Sequence, residues 1–380
     1  MRSHHFKPDK RGAVTVFLSI ALAGLLSAVI VFSINAREEA EESYRRAILD
    51  LSSRSVLSEY DRRLFNDYGI VAFRGSNKYI EKQLMFYIKH TDIYSNNAFS
   101  LDLTLLDADT EGFEITNIDT FEDQIIKAAM YDKVSVFERQ NQTEDTDDSL
   151  VTSIMIPENT GVIDTGKLPS SMNKEKGFEI DIPEIKSGGL KGLIAETGDK
   201  FLVNQYIFEH FNHLRSDNTA ESFLSYEIEY IISGCSTDIE NLDRVHKYFV
   251  ALRTPVNIAR IYADPAKVSA ALAEAELLTP GPAVVATQAL IIAAWAAEDA
   301  ENEWDMVRRG MSVDALYYHD YLMIFLTLED RDIKLLRMMD LIQVNLNNYY
   351  YDTFRISEFY TGFSVLAEFD DDEIMITHNY

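Results

Sequence analysis

An uncharged run from Gly12 to Ala36 constrains the fold of this chain more than any other feature of the sequence. A helix rises about 1.5 Å per residue, so roughly 20 apolar residues cross the hydrocarbon layer of a bilayer, which is about 30 Å thick. The stretch from Ala13 to Ile34 has that length, and only hydroxyl side chains interrupt it. The sequence therefore predicts a transmembrane helix over residues 13–36.

The charges on the two sides of this run predict its orientation. The tail before it, residues 1–12, carries four basic residues and one acidic residue, whereas the six residues after it read REEAEE. Basic residues collect on the cytoplasmic side of membrane helices. We therefore expect a cytoplasmic tail, a single pass through the cell membrane, and an extracellular location for residues 37–380.

A cleaved secretory signal is the alternative interpretation, because it also combines a basic start, an apolar centre and small residues at its end. The apolar stretch is longer than the roughly 7–15 residues of a signal core. Ile34 also stands three places before a cut after Ala36, where a small residue is needed. We expect the helix to be retained, and either interpretation exports the rest of the chain.

Composition limits the classes of function. The chain has 380 residues, which is long enough for one large or two ordinary domains. Of these residues, 47% are hydrophobic, which can supply a core. The formal net charge of −27 repels phosphate backbones, so we expect no nucleic-acid partner. The single cysteine, Cys235, cannot form an intramolecular disulfide, and the fold must therefore be held by packing.

Residues 37–140 are predicted to form a stalk helix followed by a small α+β module. No proline or glycine occurs between Arg37 and Gly69, so we expect the membrane helix to continue as a stalk helix to Tyr68. Period-two alternation and helical spacing of apolar residues predict the remaining elements. These are a β-hairpin with strands over residues 100–106 and 112–118, and helices over residues 77–94 and 119–140.

The remainder of the chain divides into a linker and a bundle. Residues 141–198 are polar, rich in glycine and proline, and without regular periodicity, which is typical of a linker. Residues 199–380 carry apolar side chains at three- and four-residue spacing, which predicts a helical bundle. Its predicted helices cover residues 200–213, 221–233, 238–252, 255–262, 265–278, 282–304, 312–327 and 332–350, and a strand over residues 361–369 returns to the sheet.

The expected fold class is α+β and mainly α. An N-terminal transmembrane helix continues into a long stalk helix, and a small antiparallel sheet and a C-terminal helical bundle follow. Within the bundle, Ala283 to Ala297 is the most apolar stretch after the anchor. It is short for a membrane crossing, so we interpret it as a buried central helix rather than a second span.

Few residues are candidates for metal chemistry. His210 and His213 could reach one metal ion from a helix, but no His-Glu-x-x-His motif occurs, and we interpret them as ordinary residues of an amphipathic helix. Acidic clusters at residues 145–148 and 370–373 lack the spacing and the glycine of an EF-hand. We interpret the clusters as solvated charge, and we expect no metal ion.

Candidates for catalysis are equally few. Cys235 has His246 nearby only in sequence, which is weak support for nucleophilic catalysis. Tyr349 to Tyr351, with Tyr317 and Tyr318, could serve protein or glycan contacts, and packing explains them equally well. We therefore expect no catalytic residue and no cofactor.

The start of the chain carries a family resemblance. The sequence KRGAVTVFLS at residues 10–19 resembles the N-termini of TadE- and TadG-like proteins, the minor pilin-like components of tight-adherence (Tad) pilus systems. Further blocks resemble an uncharacterised membrane-anchored family found beside such systems in Gram-positive bacteria. These blocks are YDR through DYG at residues 60–69, YEIEYIISG at residues 226–234 with Asn241 and Leu242, and LLRMMDLIQVN at residues 335–345.

The resemblance implies a role in assembling or decorating a pilus or a secretion apparatus, without a known catalytic activity. Pilin-like precursors are cut after a glycine by a prepilin peptidase, and Gly12 followed by Ala13 matches that position. The fifth residue after the glycine is Phe17, where such precursors carry a glutamate that registers the subunits. That departure favours an anchored accessory protein over a polymerised subunit.

The sequence thus predicts a structural or accessory protein that is not an enzyme. Its expected partners are the lipid bilayer and other components of the apparatus. A second copy of the chain is a further candidate, through an apolar strip on the stalk helix from Tyr44 to Leu64. The alternatives are an anchored, hydrolase-like enzyme and a ligand-binding ectodomain.

Overall fold

A computed structural model describes residues 10–94, 103–140, 161–172, 198–216, 222–369 and 372–380. Most of the predicted linker, residues 141–198, lies outside these ranges. The described residues form a mainly α fold with two small antiparallel sheets, which confirms the predicted α+β class.

Eleven helices and five strands lie in the described ranges. The helices are α1 (Lys10–Leu57), α2 (Arg62–Tyr68), α3 (Asn77–Tyr94), α4 (Ile118–Gln140), α5 (Asp199–His210), α6 (Glu227–Ser233), α7 (Asp238–Tyr262), α8 (Pro265–Leu278), α9 (Val284–Arg308), α10 (Tyr318–Leu328) and α11 (Arg331–Tyr349). The strands are β1 (Phe73–Arg74), β2 (Leu103–Asp109), β3 (Phe359–Tyr360), β4 (Gly362–Phe369) and β5 (Asp372–Asn379).

Helix α1 contains the predicted membrane segment and continues beyond it. It is the one helix in the described ranges that is long and apolar enough to cross a membrane. The predicted unbroken helix to Tyr68 is wrong, because α1 ends at Leu57 and α2 starts after Asp61. The Asp61 carboxylate accepts the Arg63 and Leu64 amides at 2.9 Å, so it caps a new helix. Gly69, with φ 64°, ends α2 as predicted.

The described chain divides into two compact units, and each unit is assembled from separate segments. The first contains the chain up to Glu59, then Gly75–Glu111 and Gly362–Tyr380. The second contains Tyr60–Arg74 and Gly112–Thr361. Segments from both ends of the chain therefore build the first unit.

The first unit consists of α1, α3 and the three-stranded antiparallel sheet β2-β4-β5. Strand β4 pairs with β2 through Leu106 opposite Ala367 and Ala108 opposite Val365, which confirms the returning C-terminal strand. Helix α1 fixes β5 through Arg45, whose Nη1 lies 3.0 Å from an Asp372 oxygen. The C-terminal half of α1 is thereby part of a packed unit.

The predicted hairpin is wrong. Residues 112–118 form no strand, and Glu114 makes a single bridge to Tyr360. Strand β4 takes the place beside β2 because its buried face, Phe363 to Phe369 at every second residue, supplies the apolar side of the sheet. The Asn117 side chain instead accepts the Asp119 amide at 3.0 Å and caps α4.

The second unit has a large core formed mainly by α4 to α7 and α9 to α11. Its largest fully buried aromatic side chains include Tyr206, Phe249 and Phe325. Helix α7 is continuous through Pro255, although two helices were predicted there. The Thr254 hydroxyl donates to the Val250 carbonyl at 2.7 Å in the turn before the proline.

The interpretation of Ala283 to Ala297 as a buried central helix is wrong for its first half. Helix α9 contains this stretch from Val284 onward, and Ile292 and Ala296 are buried in a small separate core. Val285 and Leu290 are each 72% exposed. The periodicity correctly predicted a helix here. It did not predict that the start of this helix is exposed, which depends on where α7 ends.

Candidate functional site

The centre of the second unit holds a set of buried acidic side chains. Helix α6 has only seven residues, and all of them are buried, including Glu227 and Glu229. We use the name carboxylate network for the four buried acids Glu227, Glu229, Asp238 and Asp340, the groups that donate hydrogen bonds to them, and Tyr68, which accepts a hydrogen bond from one of those groups, Asn345. Charged side chains are rarely fully buried without partners.

Glu227 joins three segments of the chain. Its Oε2 accepts the Asn212 amide at 2.8 Å, and its Oε1 accepts Nδ2 of Asn345 at 2.6 Å. The same Asn345 nitrogen lies 3.1 Å from the Tyr68 hydroxyl oxygen. The side chain of Glu227 therefore links α6 to α11, to the segment after α5 and, through Asn345, to α2.

Only one of the two carboxylate oxygens of Glu229 has hydrogen-bond partners among the described residues. Its Oε1 accepts the Leu214 amide at 2.9 Å and the Tyr318 hydroxyl at 2.7 Å. Its Oε2 is buried and has no hydrogen-bond partner among the described residues. Burial raises the pKa of Glu229 to about 7, and it raises the pKa of Glu227 to about 7 as well. Both carboxyls therefore titrate near neutral pH.

Asp340 fastens α11 to α6. Its two oxygens accept the Ser170 amide at 3.0 Å and the Tyr230 hydroxyl at 2.9 Å. One turn earlier on α11, the Arg337 guanidinium donates to the Ile231 carbonyl at 2.7 Å. Burial raises the pKa of Asp340 above its ordinary range.

Asp238 and Asn241 hold the two ends of α6 in place. The Asp238 carboxylate accepts the amides of Ser225 and Tyr226 at 3.0 and 2.9 Å, just before α6 begins. The Asn241 side-chain oxygen accepts the Cys235 amide at 2.8 Å, just after α6 ends. The entry and the exit of α6 are thus both fixed from α7.

The turn after α6 requires glycine. Gly234 has φ 65°, which favours glycine over residues with a Cβ. A Cβ at this position would lie 2.7 Å from Nε of Arg337. The backbone therefore approaches the guanidinium more closely than a side chain would permit.

A second buried ionic cluster joins α7 to α9. The Arg253 side chain is fully buried and forms a double hydrogen bond with Glu303, at 2.8 and 2.9 Å. Its Nη1 lies 2.8 Å from an Asp314 oxygen. Arg260 binds the same two acids from the solvent side, and Asn257 donates to Glu303 at 3.0 Å. We call these five residues the arginine network.

The histidines selected from the sequence have separate surroundings. The His210 ring stacks on Tyr206 with ring centres 4.0 Å apart. His213 lies beyond the end of α5, its Nδ1 accepts the Arg215 amide at 3.0 Å, and burial lowers its pKa to about 4. Among the described residues, no group of three or more His, Cys, Asp or Glu side chains is arranged to hold a metal ion.

The other selected residues also have local partners. Cys235 Sγ lies 3.9 Å from the Ser233 carbonyl oxygen, whereas His246 Nε2 lies 2.7 Å from Glu301. The two side chains therefore have different partners. Gly12 and Ala13 lie in the first turns of α1. Residues 145–148 and 370–371 are outside the described ranges, and Asp372 pairs with Arg45 as stated above.

The tyrosines mostly serve contacts inside the second unit. Tyr351 donates to Asp61 at 2.7 Å, and Tyr349 donates to the Ser222 carbonyl at 3.1 Å. The Tyr350 ring lies under the Arg63 guanidinium at 4.3 Å. Tyr318 belongs to the carboxylate network, whereas Tyr317 is exposed.

Three sequence blocks that were quoted for a resemblance meet at the carboxylate network. Residues 60–69 contribute Tyr68, residues 226–234 contribute both glutamates, and residues 335–345 contribute Asp340 and Asn345. These residues were not predicted to form a site. The available signal was a pair of acids inside the apolar run YEIEYIIS without a turn residue beside them.

A family model described as a family of unknown function (DUF5702) matches residues 140–316 and 301–371. The matched region contains both ionic networks apart from Tyr68, and it begins after α1 to α3. It also crosses residues 141–198. No curated protein and no solved structure matches the chain.

Proposed function

The chain belongs to DUF5702, a family of unknown function, and we propose that it is a membrane-anchored, extracytoplasmic structural protein. Its proposed task is to act as an accessory in the assembly of a Tad-type pilus or a related secretion apparatus. The resemblance of residues 10–19 to TadE- and TadG-like N-termini supports the choice of apparatus.

The observation that carries the anchoring proposal is the continuity of α1. The large apolar side chains from Val14 to Ile34 are exposed along their whole length. Further along the same unbroken helix, Leu49 and Val56 are completely buried in the first unit. Exposed apolar surface of this extent favours lipid as its surroundings. One rigid element would then join the bilayer to a folded unit.

The structure of the carboxylate network supports a structural role. Its side chains bind one another and the backbone across α2, α6, α7, α10 and α11, and they are buried. Groups arranged in this way fix the positions of helices relative to each other. The positive-inside rule supports an exterior location for both units.

The packing of the stalk helix leaves less of its apolar strip available for contact with a second copy of the chain. Ile48 and Leu57, which belong to the apolar strip from Tyr44 to Leu64, are buried. Leu51 remains more than half exposed. We therefore place the apparatus partner, rather than a second stalk helix, first among the proposed contacts.

Mass spectrometry of the native N-terminus tests the proposed anchoring. An intact start supports a plain anchor, and a start at Ala13 supports pilin-type processing after Gly12. A start near Arg37 would contradict the proposal, because the apolar half of α1 would then be a removed signal.

Deletion of the gene tests the proposed task. In a bacterium whose neighbouring genes encode a secretion ATPase, platform proteins and a prepilin peptidase, deletion should reduce surface pili, and the full chain should restore them. Unchanged piliation and secretion in the deletion strain would contradict the role in assembly, while leaving the anchoring intact.

A further inference from the structure

The turn between α8 and α9 carries apolar side chains that the described chain leaves exposed. No charged residue occurs from Leu277 to Ala297. Leu278 at the end of α8 is 65% exposed, Val285 at the start of α9 is 72% exposed, and Ala289 on the same face of α9 is exposed as well. We call these three side chains the hairpin tip. Exposed apolar clusters of this kind mark interaction sites.

The apolar stripe of α9 extends beyond the part of the helix that α7 covers. Helices α7 and α9 run antiparallel, since Asn257 lies at the Ala296 carbonyl and Phe249 lies against Trp304. The stripe along α9 is buried from Ile292 to Val307 and exposed at its start. Its spacing of three and four residues extends back from Ile292 to Ala289 and Val285.

Helix α8 repeats the same arrangement from the other side. Ala271 and Ala275 are fully buried, and Leu278, three residues further on, is exposed. Gln288 ties the two helices together by donating to the Val268 carbonyl at 3.0 Å. Two helical stripes thus emerge together at the turn, where no third helix of the described chain covers them.

We propose that the hairpin tip docks an amphipathic α-helix of another protein, with an apolar face and basic residues at the ends of that face. A helix fits because the buried continuation of the α9 stripe is already packed by a helix, α7. The central contact must be apolar because the surface has no charge from residue 277 to 297.

Acidic residues border the hairpin tip, so we expect the partner helix to carry basic residues at its ends. The nearest charged residues in sequence are Glu274 and Glu276 on α8 and Glu298 on α9, and all three are exposed. A lipid surface fits less well, because interfacial segments usually carry Lys or Arg with Trp or Tyr at their edges. A second copy fits less well, because a symmetric pair would bring two acidic borders together.

Site-specific photocrosslinking of the full chain in the cells that express it tests this proposal, which does not depend on the apparatus proposed above. The photoreactive residue p-benzoylphenylalanine replaces Leu278 in one variant and Val285 in another. Matched controls carry it at Ile239 and Met375, which are similarly exposed but lie elsewhere. Illumination should give an adduct at both tip positions and not at the controls.

The crosslinked peptide decides the outcome. The proposal is supported if it is a helical segment of another protein with an apolar face and Lys or Arg at both ends. In the Leu278 variant, Val285→Asp should reduce the adduct yield about tenfold, whereas Ile239→Asp should not. Crosslinks to lipid, to a second copy or to an acidic segment would overturn the proposal. Equal yields at the controls, or no adduct at either tip position, would overturn it as well.

Discussion

Two regions of the second unit invert the usual distribution of polar and apolar side chains. Around α6 and at Arg253, acidic or basic side chains are buried and hydrogen-bonded, whereas the hairpin tip exposes aliphatic side chains. A buried charged group requires hydrogen-bonding partners in well-defined positions, so the two networks fix one arrangement of the helices. An exposed apolar surface needs cover that the described chain does not supply. Substitutions in the networks should therefore change stability, and substitutions at the tip should change binding.

The largest expected effect is the loss of the buried guanidinium. Arg253→Met keeps most of the side-chain volume but leaves Glu303 without its double hydrogen bond, and it should lower the free energy of unfolding by about 4 kcal/mol. Arg260→Met is the matched control, because Arg260 binds the same acids from a half-exposed position. It should cost less than about 1 kcal/mol. Denaturant unfolding of the full chain in detergent measures both, and equal costs would contradict the importance of burial.

The next effect concerns pH. Burial raises the pKa of Glu229 in the folded state from 4.5 to about 7, so the folded state binds the proton more tightly than the unfolded state. The contribution of Glu229 to stability therefore falls as pH rises from about 5 to about 8, by up to about 3 kcal/mol.

Glu229→Gln isolates this contribution. The glutamine oxygen can still accept the Leu214 amide and the Tyr318 hydroxyl, and the amide carries no charge. The variant should gain stability over the unsubstituted chain at pH 8, and that gain should shrink towards pH 5. His213, with its lowered pKa, opposes the trend at low pH in both proteins and cancels in the difference. A difference that does not change with pH would contradict the buried, titrating carboxyl.

A smaller effect is expected at the end of α6. Gly234→Ala places a Cβ against Arg337 and at a positive φ, and should cost about 3 kcal/mol or slightly less. Gly112→Ala is the control, because Gly112 has φ 84° with open space around it. It should cost about 1 kcal/mol. The difference between the two unfolding free energies measures the close approach to the guanidinium, and no difference would mean that Arg337 moves away freely.

The smallest effect on stability is expected at the hairpin tip. Val285→Gln replaces an exposed side chain, and its free energy of unfolding should stay within about 0.5 kcal/mol of the unsubstituted chain. Ile292→Gln, seven residues further along the same face of α9, buries a polar group and should cost more than about 2 kcal/mol. A large loss of stability from Val285→Gln would contradict the assignment of the tip as a binding surface.

Periodicity predicted much of this fold because it reports on local structure. The bounds of α3 and α8 agree with the predicted residues 77–94 and 265–278, and β4 lies within one residue of the predicted strand. The return of the C-terminal strand to the sheet was predicted, but residues 112–118 were wrongly paired with β2, because alternation identifies a strand without identifying its neighbour. The break at Asp61 was missed for a similar reason: an aspartate between two helix-forming segments is either a cap or a surface residue.

The candidate site was harder to predict than the fold. Acids in an otherwise periodic helix normally face solvent, and only the short length of α6 between larger helices buries Glu227 and Glu229. Likewise, the composition of residues 283–297 shows that the segment needs an apolar neighbour. It does not show that α7 would end at Tyr262 and leave the start of α9 uncovered.

The most direct test of the account is protease treatment of intact cells, followed by recovery of the chain from the membrane fraction. The account predicts that protease removes both units and leaves a short membrane-bound fragment that contains the apolar half of α1. A chain that stays whole in intact cells, but is cut after the cells are opened, would contradict the exterior location. Recovery of the complete chain from the soluble cytoplasm would contradict the anchor itself.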